Sequence, residues 1–524
     1  MTQRLPEAFH NEMKELWLQY SPEGSIDDFW LSLSQPAAAG LRANTLKIEP
    51  GQLDQLMGHP GFLPVPWAPT GFFVPDSMNP GRLGYYHAGL YYIQEPSAML
   101  PAEILSAQPG ERVLDLCAAP GGKATRLAAM VGEDGLLWAN EISSDRVKAL
   151  LRNLELMGVD RAVISNETPE KLAARLPAFF DRILVDAPCS GSGMFRRDPS
   201  AAASWLRYGP QACVPIQRDI LESAHSLLRT GGHMVYSTCS FSLAEDEAMV
   251  LAFVQQHPEY DILPIEKHSR ILAKDNPLVL SDGLAIEPAL KATARLWPHL
   301  AEGDGHFCAL LRKGPVDSSA PIPQTQSCER TVTGPVDPDL ADAIQTFEQW
   351  AGQVLSEAGL AYLNRRTSRA YYRLHQGHLH LVPDCVSDLR GLRLVKTGLY
   401  LGQYRQLPTK GSRPDELFRR SARPKSIRSK ASFEPAHALL LTLRSEHIRF
   451  ALRLPADHPQ LQRYLRGETV AWPEDLTGQL GPGQAWRENA WVGVCLENNP
   501  IGWARMTSPG QLKNLYPPAW RRAF

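Results

Sequence analysis

Over residues 1–75 apolar positions keep a helical spacing only in 6–20, and the remainder is broken by proline and glycine, as in Leu63-Pro64-Val65-Pro66-Trp67-Ala68-Pro69. From Arg112 the pattern changes to short β-branched, apolar runs that alternate with longer stretches of helical period. This predicts strands over 112–116, 136–140, 162–165, 182–186 and 233–238, with helices over 122–130, 144–156, 170–176, 211–228 and 243–256. A later strand over 306–312 closes the sheet. Strands alternating with crossover helices specify an α/β domain built on a mostly parallel sheet. Residues 314–338 are rich in Pro, Ser, Thr and Gln, lack apolar periodicity and read as a linker. A small mixed α/β domain is expected over 339–406 and a basic linker over 407–432. Short apolar runs at 437–443, 448–454 and 491–496 predict a β-rich domain over 433–524. There is no internal repeat.

Composition bounds the picture further. A chain of 524 residues exceeds one comfortable domain, and roughly three or four are expected. Hydrophobic content of 44% with 21% charged residues describes a globular chain, not a disordered or fibrous one. The N-terminus has no apolar signal core, and no apolar run approaches the ~20 residues that span a bilayer, so a cytoplasmic protein is expected, with no membrane partner. The eight cysteines (117, 189, 213, 239, 308, 328, 385 and 495) show no CxxC pairing. Neither a disulfide framework nor a metal site is expected, and the thiols remain free for chemistry in a reducing compartment. A net charge of −2 says nothing about nucleic acid. Charge is concentrated instead in Lys410, Arg413, Arg419, Arg420, Arg423, Lys425, Arg428 and Lys430, opposed only by Asp415 and Glu416. Such a run is either a solvated surface or a phosphate-contacting arm.

Two patterns carry chemistry. After the first sheet strand, Asp115-Leu116-Cys117-Ala118-Ala119-Pro120-Gly121-Gly122-Lys123 opens a helix whose free N–H groups can hold an anion, and the two glycines allow close approach. Glu141, at the end of the next strand, stands where an acid receives a ribose diol in doubly wound folds. The loop lacks the G-x-G-x-x-G of dinucleotide enzymes. S-adenosylmethionine suits it better, offering a carboxylate to the loop and a ribose to Glu141. The second pattern is Cys189, in Asp186-Ala187-Pro188-Cys189-Ser190-Gly191, and Cys239, in Ser237-Thr238-Cys239-Ser240. Both follow the carboxyl ends of neighbouring predicted strands, the edge where open α/β sheets bind ligands. Two thiols facing a cofactor loop suggest covalent chemistry, with an adduct to form and later to release, so two thiols can serve two steps. Residue order alone leaves open which thiol attacks. Asp186 precedes Pro188-Cys189 and could hydrogen-bond a substrate there, and Lys123 could stabilise negative charge beside it.

These motifs, in this order and over about 42–313, resemble the Nol/Nop/Sun family of RNA cytosine-C5 methyltransferases. The resemblance implies a Rossmann-like, mostly parallel seven-stranded methyltransferase domain over 93–313, preceded by an N-terminal RNA-binding region over 1–92 that contains Leu41-Arg42-Ala43-Asn44-Thr45-Leu46-Lys47. It implies S-adenosyl-L-methionine as cofactor, held by Cys117, Ala118, Ala119, Pro120, Gly121, Gly122, Lys123, Glu141, Arg146, Asn166 and Asp186. Asn166 departs from the family's usual Asp at the adenine position. The resemblance assigns Cys239 as nucleophile and Cys189 to product release, with Asp186 and Lys123 in the catalytic site. Gly502-Trp503-Ala504-Arg505 and Leu512-Lys513-Asn514-Leu515-Tyr516-Pro517 are similar to the PUA-like domain of the bacterial type F branch, which modifies 16S ribosomal RNA. The implied activity is 5-methylcytidine formation in 16S rRNA, free or within the 30S subunit, with RNA bound by the N-terminal region, segment 410–430 and the PUA-like domain. Ser192-Gly193-Met194-Phe195-Arg196-Arg197-Asp198 is expected to contribute stacking and phosphate contacts. The alternatives are a tRNA cytosine-C5 methyltransferase and a non-catalytic ribosome-assembly RNA-binding factor.

Overall fold

A computed structural model describes residues 5–265, 281–315, 337–386, 390–406, 431–473, 476, 487–508 and 510–521. The basic run 410–430, Cys328 and nearly all of the expected linker lie outside them. The chain divides into two compact units, Met1–Ser327 with Asp388–Lys396, and Cys328–Ser387 with Thr397–Phe524.

The first unit is organised by one twisted sheet. In chain order its principal elements are β1 (Arg112–Asp115), α1 (Gly122–Val131), β2 (Leu136–Asn140), α2 (Arg146–Leu156), β3 (Ala162–Ser165), α3 (Pro169–Arg175), β4 (Phe180–Asp186), α4 (Pro210–Leu227), β5 (Leu228–Thr238), α5 (Glu247–Gln256), β6 (Tyr260–Leu263) and β7 (His306–Lys313). Strands β1 to β5 run parallel in the order β3-β2-β1-β4-β5, β7 joins β5 antiparallel, and β6 pairs with β7. Leu136, Leu137, Trp138, Val163, Ile164, Ile183 and Leu184 are buried, as strands covered on both faces require.

The expected seven strands are joined by three short ones, giving a sheet of ten. Two of these, Ala294–Leu296 and Ser281–Asp282, extend the β7 edge. The third, Leu394–Thr397, lies beside β3. Just before it Arg393 accepts from the Asn166 N–H at 2.9 Å and gives its own N–H to Glu167 at 2.6 Å, while buried Lys396 donates to the Val159 carbonyl at 2.9 Å. This segment covers an edge that would otherwise present unpaired backbone groups.

The N-terminal region packs onto this sheet domain. Helix Glu7–Tyr20 places Phe9, Met13 and Leu16 in an aromatic core with Phe29, Phe195, Trp205 and Trp297. Arg42 was expected within an RNA-binding element. Its strand, Gly40–Ala43, instead turns Arg42 inward, where the guanidinium is 3% exposed and donates to the Gly122 carbonyl at 2.6 Å and to Thr125 at 2.7 Å. Burial lowers its pKa to about 9. Lys47 caps α2, donating to the Leu156 carbonyl at 3.0 Å.

In the second unit, helices Pro338–Val354 and Glu357–Thr367 accompany two sheets. One contains Ala370–His375, His378–Pro383, Leu399–Gln406 and Ala431–Pro435, and the other Ala451–Leu454, Trp491–Leu496, Asn499–Met506, Gln511–Asn514 and Val470–Ala471. Phe347, Trp350, Leu401, Phe433, Leu440, Trp491 and Trp503 share one core, so residues from 339–406 and 433–524 pack as a single body. The expected strand at 437–443 is instead the helix His437–Leu441. Its Ala-Leu-Leu-Leu run has no β-branched residue and high helix propensity, and burial on all sides hides the helical period.

Candidate active site

The glycine loop leaves β1 and starts α1 as its sequence requires. Gly121 has φ 112°, in the left-handed region, and Gly122 leaves room for Gln94 and Tyr92, whose atoms would lie 3.2–3.3 Å from an added Cβ. Glu141, only 2% exposed, accepts the Ser143 N–H at 2.8 Å and pairs with Arg146 at 3.2 Å, and Arg146 in turn donates to the Ala119 carbonyl at 2.6 Å. The acid and the loop are thus tied together. Asn166 spends its amide on the Glu141 and Ile142 carbonyls, at 2.7 and 2.9 Å, and its oxygen accepts from Ser144. Its side chain braces the turn that carries Glu141.

Parallel pairing of β4 with β5 brings the two cysteine motifs together, with Cys189 and Cys239 Sγ atoms 3.3 Å apart. The hydrogen bond to Cys239, together with burial, raises the Cys189 thiol well above its ordinary pKa. The loops are joined residue by residue. Gly193 donates its N–H to the Cys239 carbonyl at 2.8 Å, and an added Cβ there would meet the same oxygen at 2.8 Å. Ser190 and Ser240, each following a cysteine, both donate to the buried carboxyl of Glu245, and Gln217 donates to it at 3.0 Å. Sequence reasoning missed Glu245, although its position six residues after Cys239 placed it close in the chain.

Asp186 ends β4 beside them. It receives Lys123 Nζ at 2.7 Å and Ser237 Oγ at 2.9 Å, with His306 Nε2 at 3.5 Å. Burial raises the carboxyl's pKa, but Lys123 and His306 outweigh it and hold Asp186 well below the usual carboxylate range. Burial likewise works against the Lys123 charge, and Asp186 reverses that effect, raising the amine. The pair is therefore ionised. Ser237 and His306 gave no signal in the sequence, because they reach Asp186 only through sheet order.

One cavity of about 670 Å³ is lined by Cys117, Glu141, Arg146, Asp186, Cys189 and Cys239 among others. The thiol pair and the ribose-type acid face a common space. Burial and neighbouring Asp115 push the Cys117 thiol far up, which makes it inert. Cys213, Cys308 and Cys495 are buried free thiols.

Within the Ser192–Asp198 segment Met194 and Asp198 line this cavity, while the aromatic and the two arginines are engaged elsewhere. Phe195 is buried edge-on to Phe9 at 4.9 Å, and Arg196 and Arg197 both pair with buried Asp304, so these groups hold the loop against the N-terminal helices. Tyr91, before the sheet, is core, donating to the Pro80 carbonyl at 2.7 Å. Among the described residues His225, His257 and Glu259 gather as possible metal ligands. The two imidazoles stack, with centroids 4.2 Å apart and planes at 25°, so their in-plane lone pairs do not meet at one ion. Glu222 also takes His257 Nε2 at 2.9 Å.

Comparison with known proteins agrees with this geometry. Residues 102–312 match the model of 16S rRNA methyltransferase RsmB/F, and residues 5–96 match the N-terminal domain of 16S rRNA methyltransferase RsmF. Residues 358–406 match the RsmF first C-terminal domain and residues 451–522 the methyltransferase RsmF PUA domain. In these four segments, in this order, the chain is similar to the 16S rRNA methyltransferases RsmB/F. Ribosomal RNA small subunit methyltransferase F of Shigella dysenteriae serotype 1 is 34% identical over 328 residues, covering 61% of this chain and 65% of that protein. The protein of the same name from Escherichia coli (strain SE11) gives the same figures. The chain thus spans 65% of the length of these RsmB/F relatives. The crystal structure of PH0851 superposes with a TM-score of 0.52 at 27% identity, covering 59% of this chain and 66% of that one. The Rossmann-like methyltransferase fold is shared.

Proposed function

We propose that the protein methylates C5 of a cytosine in 16S ribosomal RNA, using S-adenosylmethionine and a covalent cysteine–C6 adduct. The observation that carries this is the pair of thiols 3.3 Å apart in the cavity that also contains Glu141. The donor set fits the cofactor: a buried carboxylate for a ribose diol, and a glycine-loop helix start for a carboxylate. When bound, S-adenosylmethionine supplies an electrophilic methyl group.

The chain's own residues prepare the acceptor. Cys189 and Cys239 are in hydrogen-bond contact, and that contact with burial raises the Cys189 thiol; the resemblance assigns Cys239 as the thiolate that adds to C6. Addition loads negative charge on the base ring. The Lys123 ammonium can meet that charge, while ionised Asp186 accepts from the exocyclic N4 amine. After transfer the C5 proton leaves to a base, the C5–H electrons form the C5–C6 double bond, and the C6–S bond breaks with its electrons going to sulfur, freeing Cys239 as a thiolate with Cys189 assisting. The base must be unpaired or extruded to reach this cavity. The 30S subunit is the larger form of the same substrate, and the family match over 451–522 supports RNA binding by the PUA domain.

Incubation with radiolabelled S-adenosylmethionine and, separately, 16S rRNA, 30S subunits and bulk tRNA tests this. Label should enter 16S rRNA or 30S, vanish in Cys239→Ala, and give way to a trapped protein–RNA adduct in Cys189→Ala. Label only in tRNA would move the substrate, an adduct that survives only in Cys239→Ala would reverse the cysteine roles, and no label in any RNA would favour a binding factor.

A further inference from the structure

The second unit contains a cavity of about 680 Å³ walled by helix Pro338–Val354, strand Ala431–Pro435 and the residues entering Trp491–Leu496. Its charge is one-sided: Arg449, Arg487 and Arg505 line it against the single carboxylate of Glu488. The arginines differ in what they already do. Arg449 donates to the Leu355 and Gly352 carbonyls at 2.8 and 3.1 Å, finishing the helix. Arg505 lies 4.2 Å over the Trp491 ring. Among the described residues neither the Arg505 nor the Arg487 side chain makes a hydrogen bond or ion pair, so their guanidinium donors are unspent there.

An independent observation points to a ligand. Trp350 lines the same cavity, is 7% exposed, and its indole N–H has no hydrogen-bond partner. Phe347, Phe433 and Trp503 pack around the ring at 5.9, 5.5 and 6.0 Å, so it cannot swing out to find one. A buried orphan donor is costly, and an acceptor in the cavity would recover that cost. Gln349 and Gln353 add amide edges on the same helix.

We propose that this cavity binds one unpaired nucleotide of RNA. Its phosphate meets Arg487 and Arg505, and an acceptor on its base or sugar takes the Trp350 N–H. Free guanidinium forks match phosphate oxygens two at a time, and splayed single-stranded bases are received by arginine planes and amide edges. The volume lies within the ~300–1,000 Å³ usual for small-ligand pockets. An acidic peptide would answer the arginines but offers no nucleobase edge with donors and acceptors side by side for the amides of Gln349 and Gln353. The inference rests on RNA being the substrate class proposed above.

The test uses the full chain and a fluorescein-labelled single-stranded 12-mer RNA, with a 4-thiouridine version for cross-linking. Gly352 offers a clean block, because it is exposed and an added Cβ would have nothing within 4 Å. Gly352→Phe and Arg487→Glu are each expected to weaken 12-mer binding roughly tenfold at unchanged melting temperature, and Trp350→Phe about three- to tenfold. Cross-links should map to peptides containing 346–354 or 487–491. Binding within twofold of wild type in both Gly352→Phe and Arg487→Glu overturns the inference, as does loss in these variants of binding to a poly-glutamate peptide instead of RNA. Methyl incorporation run in parallel separates the failures: transfer intact with binding unaffected overturns this inference alone, whereas no transfer to any RNA and no 12-mer binding overturns the function as well.

Discussion

At the scale of single residues, the active site is decided by which charges are buried next to which. Asp186 and Lys123 hold one another ionised, so a base entering the proposed site would meet a fixed carboxylate and a fixed ammonium. Asp115, one strand away, has the opposite fate: burial and the nearby Asp186 charge push its carboxyl up to about 8. Between its ordinary value and that one, the unfolded chain has lost the proton and the folded chain keeps it. Folding therefore takes up a proton, and the stability from this residue falls as pH rises through the window. The melting temperature of the wild type relative to Asp115→Asn should drop between about pH 5 and pH 8. A constant difference would show that Asp115 titrates normally.

At the scale of elements, two parallel strands and the loops after them form the proposed reaction centre, and Glu245 connects the loops. Its carboxyl accepts from the residue after each cysteine, so losing it frees both loops at once. Glu245→Ala leaves Ser190, Ser240 and Gln217 short of a partner and should cost about 3 kcal/mol of stability. It should lower kcat at least tenfold with little change in the KM for S-adenosylmethionine, because the Glu141 side of the cavity is untouched. Glu245→Gln, which keeps the shape and one acceptor oxygen, should recover part of both. Equal loss in kcat and affinity would mark Glu245 as general scaffolding instead. The same scale explains the inward arginines. Arg42, Arg196 and Arg197 read as nucleic-acid contacts, but each finds a carbonyl or carboxylate on an element distant in sequence.

At the scale of the molecule, two units with separate cores predict two thermal transitions in calorimetry of the full chain. S-adenosylmethionine at 100 times its Kd should stabilise only the transition of the unit that carries the glycine loop, by ~2.7 kcal/mol. A single transition, or an equal shift of both, would contradict this. The short strand Leu394–Thr397 shows why domain limits were hard to read. It lies within a stretch whose neighbours on both sides belong to the second unit, yet it pairs beside β3 in the first.

Much of the catalytic architecture was legible in the sequence. Apolar periods located β2 and β3 at their observed limits and the helices around them to within a few residues, because period and capping are local properties. The glycine loop, Glu141 and the two cysteine motifs were also legible, since each is a short run at the end of a strand. Tertiary structure alone decided the 3.3 Å thiol contact, the ionisation of Asp186 by Lys123 and His306, and the bracing by Glu245. It also decided the inward turn of Arg42, the helix at His437–Leu441 and the tenth strand of the sheet. These depend on which strands become neighbours and on how fully a segment is buried, and contacts between residues far apart in the chain leave no period behind.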